Sequence, residues 1–327
     1  MTRVFSGIKP SGAVQLGNYL GALQNWVSMQ DESEAVYCVV DLHALTVPHD
    51  PDELKSSTLS LTQMLMAVGL DPDRCILFVQ SHVQEHAECA WLMECTAAFG
   101  ELRRMTQFKD KSTGNEFVSA ALFTYPALQA ADILLYDTNQ VPVGEDQRQH
   151  IELTRDIAIR FNSRFGDTFT VPEAIIPSSG ARVMDLQHPE KKMSKSEDSP
   201  QGTILILDPP DAIEKKIKRA VTDSDDEVFF DVDKKPGVSN LLSILGAATG
   251  KTPQEASDGI ERYGDLKNAT AEAVVELLKP IQEKYYDLAD DPGETNRLIA
   301  KGAEKAREIA STTLSRARNN IGLFSHN

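Results

Sequence analysis

The residues that could do chemistry concentrate in a few short strings. Lys192-Met193-Ser194-Lys195-Ser196 places two ammonium groups and two hydroxyls in one polar loop. Such a loop suits gripping a triphosphate while pyrophosphate leaves, since mobile lysines neutralise the developing charge. Asp132 lies inside the apolar run Leu128 to Tyr136. A carboxylate there is costly unless it is hydrogen-bonded or paired. It is either a structural bridge or an acceptor for a polar hydrogen of a buried ligand. Two glycine-bearing turns complete the set. One is Phe5-Ser6-Gly7-Ile8-Lys9-Pro10-Ser11-Gly12, followed by Leu16-Gly17-Asn18-Tyr19. The other is Val141-Pro142-Val143-Gly144-Glu145-Asp146-Gln147. Each reads as a strand exit leading into a helix start, where free amides and the helix dipole favour phosphate. Neither is GxGxxG or a P-loop. His82-Val83-Gln84-Glu85-His86 matches the HxxEH zinc pattern. No further His or Asp cluster supports a third ligand, so the string reads as a polar helix start.

The elements that must position these groups alternate over the first half. Strands are expected at Arg3 to Gly7, Ala35 to Val40, Cys75 to Gln80 and Val141 to Val143, the second and third being continuous apolar runs. Helices are expected from Gly17 to Trp26, Pro51 to Val68, His82 to Phe99, Ala127 to Leu135 and Gly144 to Phe165. That rhythm predicts an α/β fold with a doubly wound parallel sheet, Rossmann-like. Beyond a Pro/Ser/Lys/Asp loop at 187–202 the pattern is helical: Asp211 to Val221, Val238 to Thr249, Pro253 to Tyr263, Asn268 to Leu288 and Asp291 to Ile321. A catalytic domain at 1–186 and a helical domain at 187–291 are expected, with the KMSKS loop at the junction. The C-terminal helix, about 292–327, is expected to pack back on the sheet.

Bulk properties set limits. The chain has 327 residues and a formal net charge of −16, which repels nucleic-acid backbones at long range. Any RNA must therefore use local basic patches, either Arg103, Arg104, Lys109 and Lys111 or Lys215, Lys216, Lys218 and Arg219. Each patch has a plainer reading as a solvated helix face. The longest apolar stretch, Ala120 to Tyr136, is interrupted by Pro126, Gln129 and Asp132, so no membrane span is expected. No apolar leader follows Met1, and the four cysteines form no CxxC pair. A cytoplasmic protein with reduced thiols is expected.

Taken together the strings resemble the bacterial tryptophanyl-tRNA synthetases, class I aminoacyl-tRNA synthetases. The resemblance rests on FSGIKPSG with LGNY (5–12, 16–19), DLHALTV (41–47), FVQSHVQEHAE (78–88), GELRRMTQFKDK (100–111), AADILLYDTNQVPVGEDQRQHIELTRDIAIRFN (130–162), KKMSKS (191–196), KRAVTDSD (218–225) and GVSNL (237–241). It implies that ATP is held by Lys9, Pro10, Ser11, Gly17, Asn18, Gly144, Glu145, Asp146, Gln147, Val183 and the loop Lys192, Met193, Ser194, Lys195 and Ser196. Lys111, Lys192 and Lys195 would act on the phosphates, with Mg²⁺ carried by the phosphates themselves and no protein ligand set for the metal. The tryptophan pocket would be Phe5, Gly7, His43, Tyr125, Gln129, Asp132, Val141 and Val143, with Asp132 accepting the indole N–H. Activation of L-tryptophan by ATP, transfer to tRNA(Trp) and a homodimer are implied, and neither DNA nor a membrane as partner. A tyrosine-specific relative and a non-catalytic tryptophan- or RNA-binding paralogue are the rival readings. Lys9 and Gln129 depart from the residues usual in relatives (Gln and Met) and are expected to tune affinity for tryptophan or its analogues.

Overall fold

The computed structural model describes residues 1–106, 108, 118–144, 147–175, 181–193 and 200–324. Five strands form one parallel sheet in the order β3-β2-β1-β4-β5. They are β1 (Arg3–Ile8), β2 (Glu34–Val39), β3 (Ile76–Val79), β4 (Gln140–Pro142) and β5 (Glu173–Ile175). Pairing is in register from Arg3 opposite Glu34 to Ile8 opposite Val39, and β2 pairs β3 from Val36 opposite Ile76. The expected Rossmann-like α/β sheet is therefore present. Its order reverses between β1 and β4, the place where open α/β sheets bind ligands.

Alternation along the strands separates two apolar cores. Val4, Tyr37, Val39, Leu77 and Val79 face one side, and Phe5, Val36, Cys38, Phe78 and Val141 the other. On the first side lies a helix, α1, that begins as Leu16–Asn18, passes through a π turn at Tyr19–Leu23 and continues as Gln24–Glu32. Beside it are α2 (Pro51–Ala67) and most of the C-terminal helices, α7 (Pro210–Lys218), α8 (Pro236–Thr249), α9 (Pro253–Ala256) and α10 (Tyr263–Asp290). On the second side pack α3 (Glu85–Thr96), α4 (Phe99–Arg104), α5 (Ala120–Leu134) and α6 (Arg148–Phe165). The last helix, α11 (Pro292–Ile321), lies along the edge strand β3. It gives Ile299 to the first core and Ala303, Ala306 and Ala310 to the second.

Several boundaries differ from the pattern-based expectation. Helix α5 starts at Ala120 rather than Ala127, because Ser119 accepts the Leu122 amide as an N-cap and the early Pro126 is tolerated inside the helix. The helix expected over 82–99 is two, broken where Ala97 and Ala98 are extended. Helix α6 begins at Arg148, after a turn in which the Gln147 amide donates to the Gly144 carbonyl at 2.9 Å. The helix expected to reach Tyr263 stops at Ala256. Gly264 sits within the first turn of α10 rather than ending a helix. Strand β5 is three residues long and only partly buried, so no apolar run announced it.

The α11–β3 contact depends on one missing side chain. A Cβ on Gly302 would lie 1.9 Å from the Leu77 carbonyl oxygen, a backbone atom that cannot step aside. Gly302→Ala should push α11 off the sheet edge and lower unfolding free energy by about 1–3 kcal/mol. Urea unfolding checks this, and an unchanged midpoint would mean that α11 does not need the close approach.

Candidate active site

A cavity of about 490 Å³ opens at the switch point, well within the size range of small-molecule sites. Phe5 and Gly7 from β1 and Val141 with Pro142 from β4 form its floor. Helix α5 adds Tyr125, Gln129, Asp132 and Ile133, the short 3₁₀ turn Leu42–Thr46 adds His43, and the π turn adds Gly21 and Ala22. Phe5 and Val141 are each 3% exposed, so this part of the wall is apolar and closely packed. All eight residues assigned to the tryptophan pocket line this one cavity, as do Lys9, Gly144 and Gln147 from the ATP set.

Asp132 is the electrostatic centre of the cavity. It is 1% exposed, and both its oxygens are engaged. Gln80 Nε2 donates to Oδ1 at 2.6 Å, His86 Nδ1 also meets Oδ1 at 2.6 Å, and His43 Nε2 meets Oδ2 at 2.8 Å. Burial by itself would raise the carboxyl's pKa. The hydrogen bonds from His43 and His86 more than offset that and hold it well below the usual carboxylate range. The group is thus an anion at neutral pH, already hydrogen-bonded in the absence of ligand. A ligand N–H must share Oδ2 with His43 or displace it.

Tyr125 is a second polar feature of the wall. Its hydroxyl lies 2.6 Å from His150 Nε2, and burial pushes its pKa up to about 12, so it keeps its proton.

The remaining ATP-set residues form a neighbouring cluster. Gln15 caps the start of α1, its Oε1 accepting the Gly17 amide at 2.5 Å while its Nε2 donates to the Met193 carbonyl at 2.9 Å. The Met193 amide donates to the Val183 carbonyl at 3.1 Å, and Lys192 pairs with Met184 as an isolated antiparallel bridge. A Cβ on Gly17 would sit 3.3 Å from Val183 Cβ. Gly17, Val183 and Met193 therefore meet although far apart in sequence. The cluster joins the cavity wall at Gly21, whose Cβ position is 3.4 Å from the Ala181 carbonyl. Asn18 is partly buried at the same helix start, and Ser11 is exposed in the turn after β1, next to buried Pro10. Met193 is buried, so only its backbone can face a ligand, whereas the Lys192 side chain is exposed. Lys111, Glu145, Asp146, Ser194, Lys195 and Ser196 lie outside the described residues.

Several functional neighbours escaped the sequence reading. Gln80 and His86 bond Asp132 and Tyr136 backs His86, although the sequence pattern alone gives HVQEH as a polar helix start. His86 is in fact fully buried, one ring nitrogen on Asp132 and the other on the Tyr136 hydroxyl at 2.7 Å. The signal was available in one form: a carboxylate on an apolar helix demands donors, and Gln80 just after β3 and His86 at the start of α3 are polar groups within reach of it. Of the two basic patches, Lys216 is tied to Asp208 and the Thr203 carbonyl and Lys218 to Glu214. Arg103, Arg104, Lys215 and Arg219 are exposed.

The fold is that of the class I aminoacyl-tRNA synthetases, and the profile of the family described as "tRNA synthetases class I (W and Y)" matches residues 1–279. The chain is 54% identical over 326 residues to a tryptophan–tRNA ligase of Caldanaerobacter subterraneus subsp. tengcongensis, covering 99% of each. Among solved structures it resembles the tryptophanyl-tRNA synthetase of Mycoplasma pneumoniae (TM-score 0.91, 39% identity, 99% of each chain). It also resembles that of Campylobacter jejuni complexed with ADP and tryptophane (TM-score 0.83, 35% identity, 98% of this chain and 100% of that one). The chain belongs to the bacterial tryptophanyl-tRNA synthetase family.

Asp132 makes stability pH-dependent with a definite sign. Its folded pKa is depressed, so its contribution is complete above the unfolded value, about 4. That contribution is lost as pH falls below that value toward the depressed folded one. Asp132→Asn should therefore flatten the acid-side fall of unfolding free energy below about pH 4 while lowering stability at pH 7. An unaltered acid slope in urea titrations from pH 3 to 7 would contradict the ionised, paired carboxylate.

Proposed function

We infer that the chain is a tryptophan–tRNA ligase. The carboxylate of L-tryptophan attacks the α-phosphorus of ATP, giving tryptophanyl-adenylate and releasing pyrophosphate. A terminal ribose hydroxyl of tRNA(Trp) then attacks the adenylate carbonyl, and AMP leaves. The observation that carries this reading is the switch-point cavity. It sets one buried, ionised carboxylate in a slot walled by Phe5 and Val141 that is also lined by Gly144, Gln147 and the π turn of α1. A flat ring with a single N–H suits such a slot. A side chain that displaces His43 from Oδ2 without bringing a donor of its own leaves a buried charge under-bonded and is disfavoured.

No protein nucleophile is required. Positioning and charge stabilisation accomplish the first step. Lys9, Pro10, Ser11, Gly17 and Asn18 would hold the nucleotide on one side, Gly144, Glu145, Asp146, Gln147 and Val183 on the other. Lys111, Lys192 and Lys195, with Met193, Ser194 and Ser196 of the same loop, would attend the phosphates. Mg²⁺, carried by those phosphates, would add Lewis-acid charge neutralisation. Among the described residues no group of three or more His, Cys, Asp and Glu forms a metal site. We propose residues 187–291 as the anticodon-reading helical domain and 1–186 as the catalytic one, with 292–327 belonging structurally to the latter. One apolar core runs from Val4 of the sheet to Ile281 of α10, a continuous path for coupling them. A homodimer is supported by Trp91 and Phe99 on α3 and α4, 65% and 68% exposed. Among the described residues no helix is long and apolar enough to cross a membrane; we propose a cytoplasmic role in translation. Lys9 and Gln129 face the same cavity, so Lys9→Gln and Gln129→Met should shift tryptophan or analogue binding constants without changing the reaction.

Amino-acid-dependent pyrophosphate exchange tests the assignment. Tryptophan should support exchange at least about 100-fold better than tyrosine. Exchange with tyrosine alone would mark the tyrosine-specific relative, and tryptophan binding without exchange a non-catalytic paralogue. Lys192→Ala should slow adylate formation by about 100-fold with little change in the KM for tryptophan.

A further inference from the structure

We propose that Gln80, His86 and Tyr136 are positioning residues for tryptophan selection. Gln80 and His86, the latter held by Tyr136, saturate Asp132 Oδ1 and thereby leave Oδ2 as the oxygen that the ring N–H of the substrate must use. The inference rests on the tryptophan reading above and names residues that act through Asp132 without touching the substrate.

The geometry is asymmetric. Oδ1 takes two donors, Gln80 Nε2 and His86 Nδ1, each at 2.6 Å, whereas Oδ2 takes only His43 Nε2 at 2.8 Å among these bonds. Gln80 and His86 are both fully buried and do not line the cavity, while His43 does. Each of the two is fixed from behind. Gln80 Oε1 accepts the Leu42 amide at 3.1 Å, which settles its amide orientation: the oxygen faces Leu42 and the NH₂ faces Asp132. His86 has the Tyr136 hydroxyl on Nε2 at 2.7 Å. An ionised carboxylate only accepts, so His86 Nδ1 carries a proton, and in the neutral ring Nε2 accepts from Tyr136. Tyr136 is itself clamped, stacked on Phe5 at a centroid distance of 5.5 Å and 10° between planes. Phe5 is a wall of the cavity, so the ring that aligns His86 also backs the slot.

Three buried groups therefore fix the carboxylate plane. A carboxylate whose two oxygens were equally loaded could rotate or present either one, and a short hydrogen bond to a ring N–H tolerates little such freedom. The same Leu42 amide bond couples Gln80 to the 3₁₀ turn that carries His43, so the donor that shares Oδ2 is held in the same frame.

The test uses two substrates that differ at one atom group, tryptophan and its benzothiophene analogue, in which sulfur replaces the indole N–H. Pyrophosphate exchange by the full-length wild type should favour tryptophan by at least about 10-fold in kcat/KM, as expected for a hydrogen bond to a charged acceptor. Tyr136→Phe keeps the stacked ring and removes only the hydroxyl. Gln80→Met keeps the volume and removes the amide. Both should reduce that preference several-fold by raising KM for tryptophan while leaving KM for the analogue unchanged. A merely structural role would raise both values together, and that outcome, or an unchanged preference with both variants folded, would overturn the proposal. If the wild type itself shows no exchange with tryptophan, the underlying functional reading fails instead.

Discussion

One buried anion organises this molecule's active cavity. Asp132 is held ionised in an apolar helix, a state that is stable only because Gln80, His86 and His43 converge on it. Those donors come from the end of β3, the start of α3 and the turn after β2, so the charge ties the carboxyl edges of two strands to helix α5 across the sheet. The residues that look most expendable in sequence, a glutamine after a strand and a histidine at a helix start, are what make the carboxylate possible.

The rest of the fold serves the same edge. The strand order reverses between β1 and β4, which opens a crevice where Phe5, Gly7 and Val141 meet. The π turn in α1 places Gly21 and Ala22 against that crevice, and Gln15 fastens the start of α1 to the Met193 carbonyl. One glutamine therefore links the first turn of the chain to the root of the KMSKS loop, almost two hundred residues on. That link would let the lysine loop share the proposed nucleotide with the sheet.

Much of this was legible in the sequence. Continuous apolar strands separated by helical periods fixed a parallel sheet, and the tryptophan-pocket residues inferred from family strings converge on one cavity. What was not legible has physical causes. Strand β5 is too short and too exposed to leave an apolar signature. Pro126 masked the first two turns of α5. His86 was misread because helix-start position and polarity suggest solvent, whereas its partner lies 46 residues away on another helix. Pairings across elements carry no local signal; only the energetic cost of an unpaired Asp132 pointed to their existence.

In the proposed complex the Asp132 carboxylate accepts the ring N–H of tryptophan. Tryptophan labelled with ¹⁵N at the indole nitrogen reports this directly by NMR. Binding should move the indole proton strongly downfield and protect it from exchange, and Asp132→Asn should abolish most of that shift. An indole proton that stays at its free position in the bound state, or a shift indifferent to Asp132→Asn, would contradict the account.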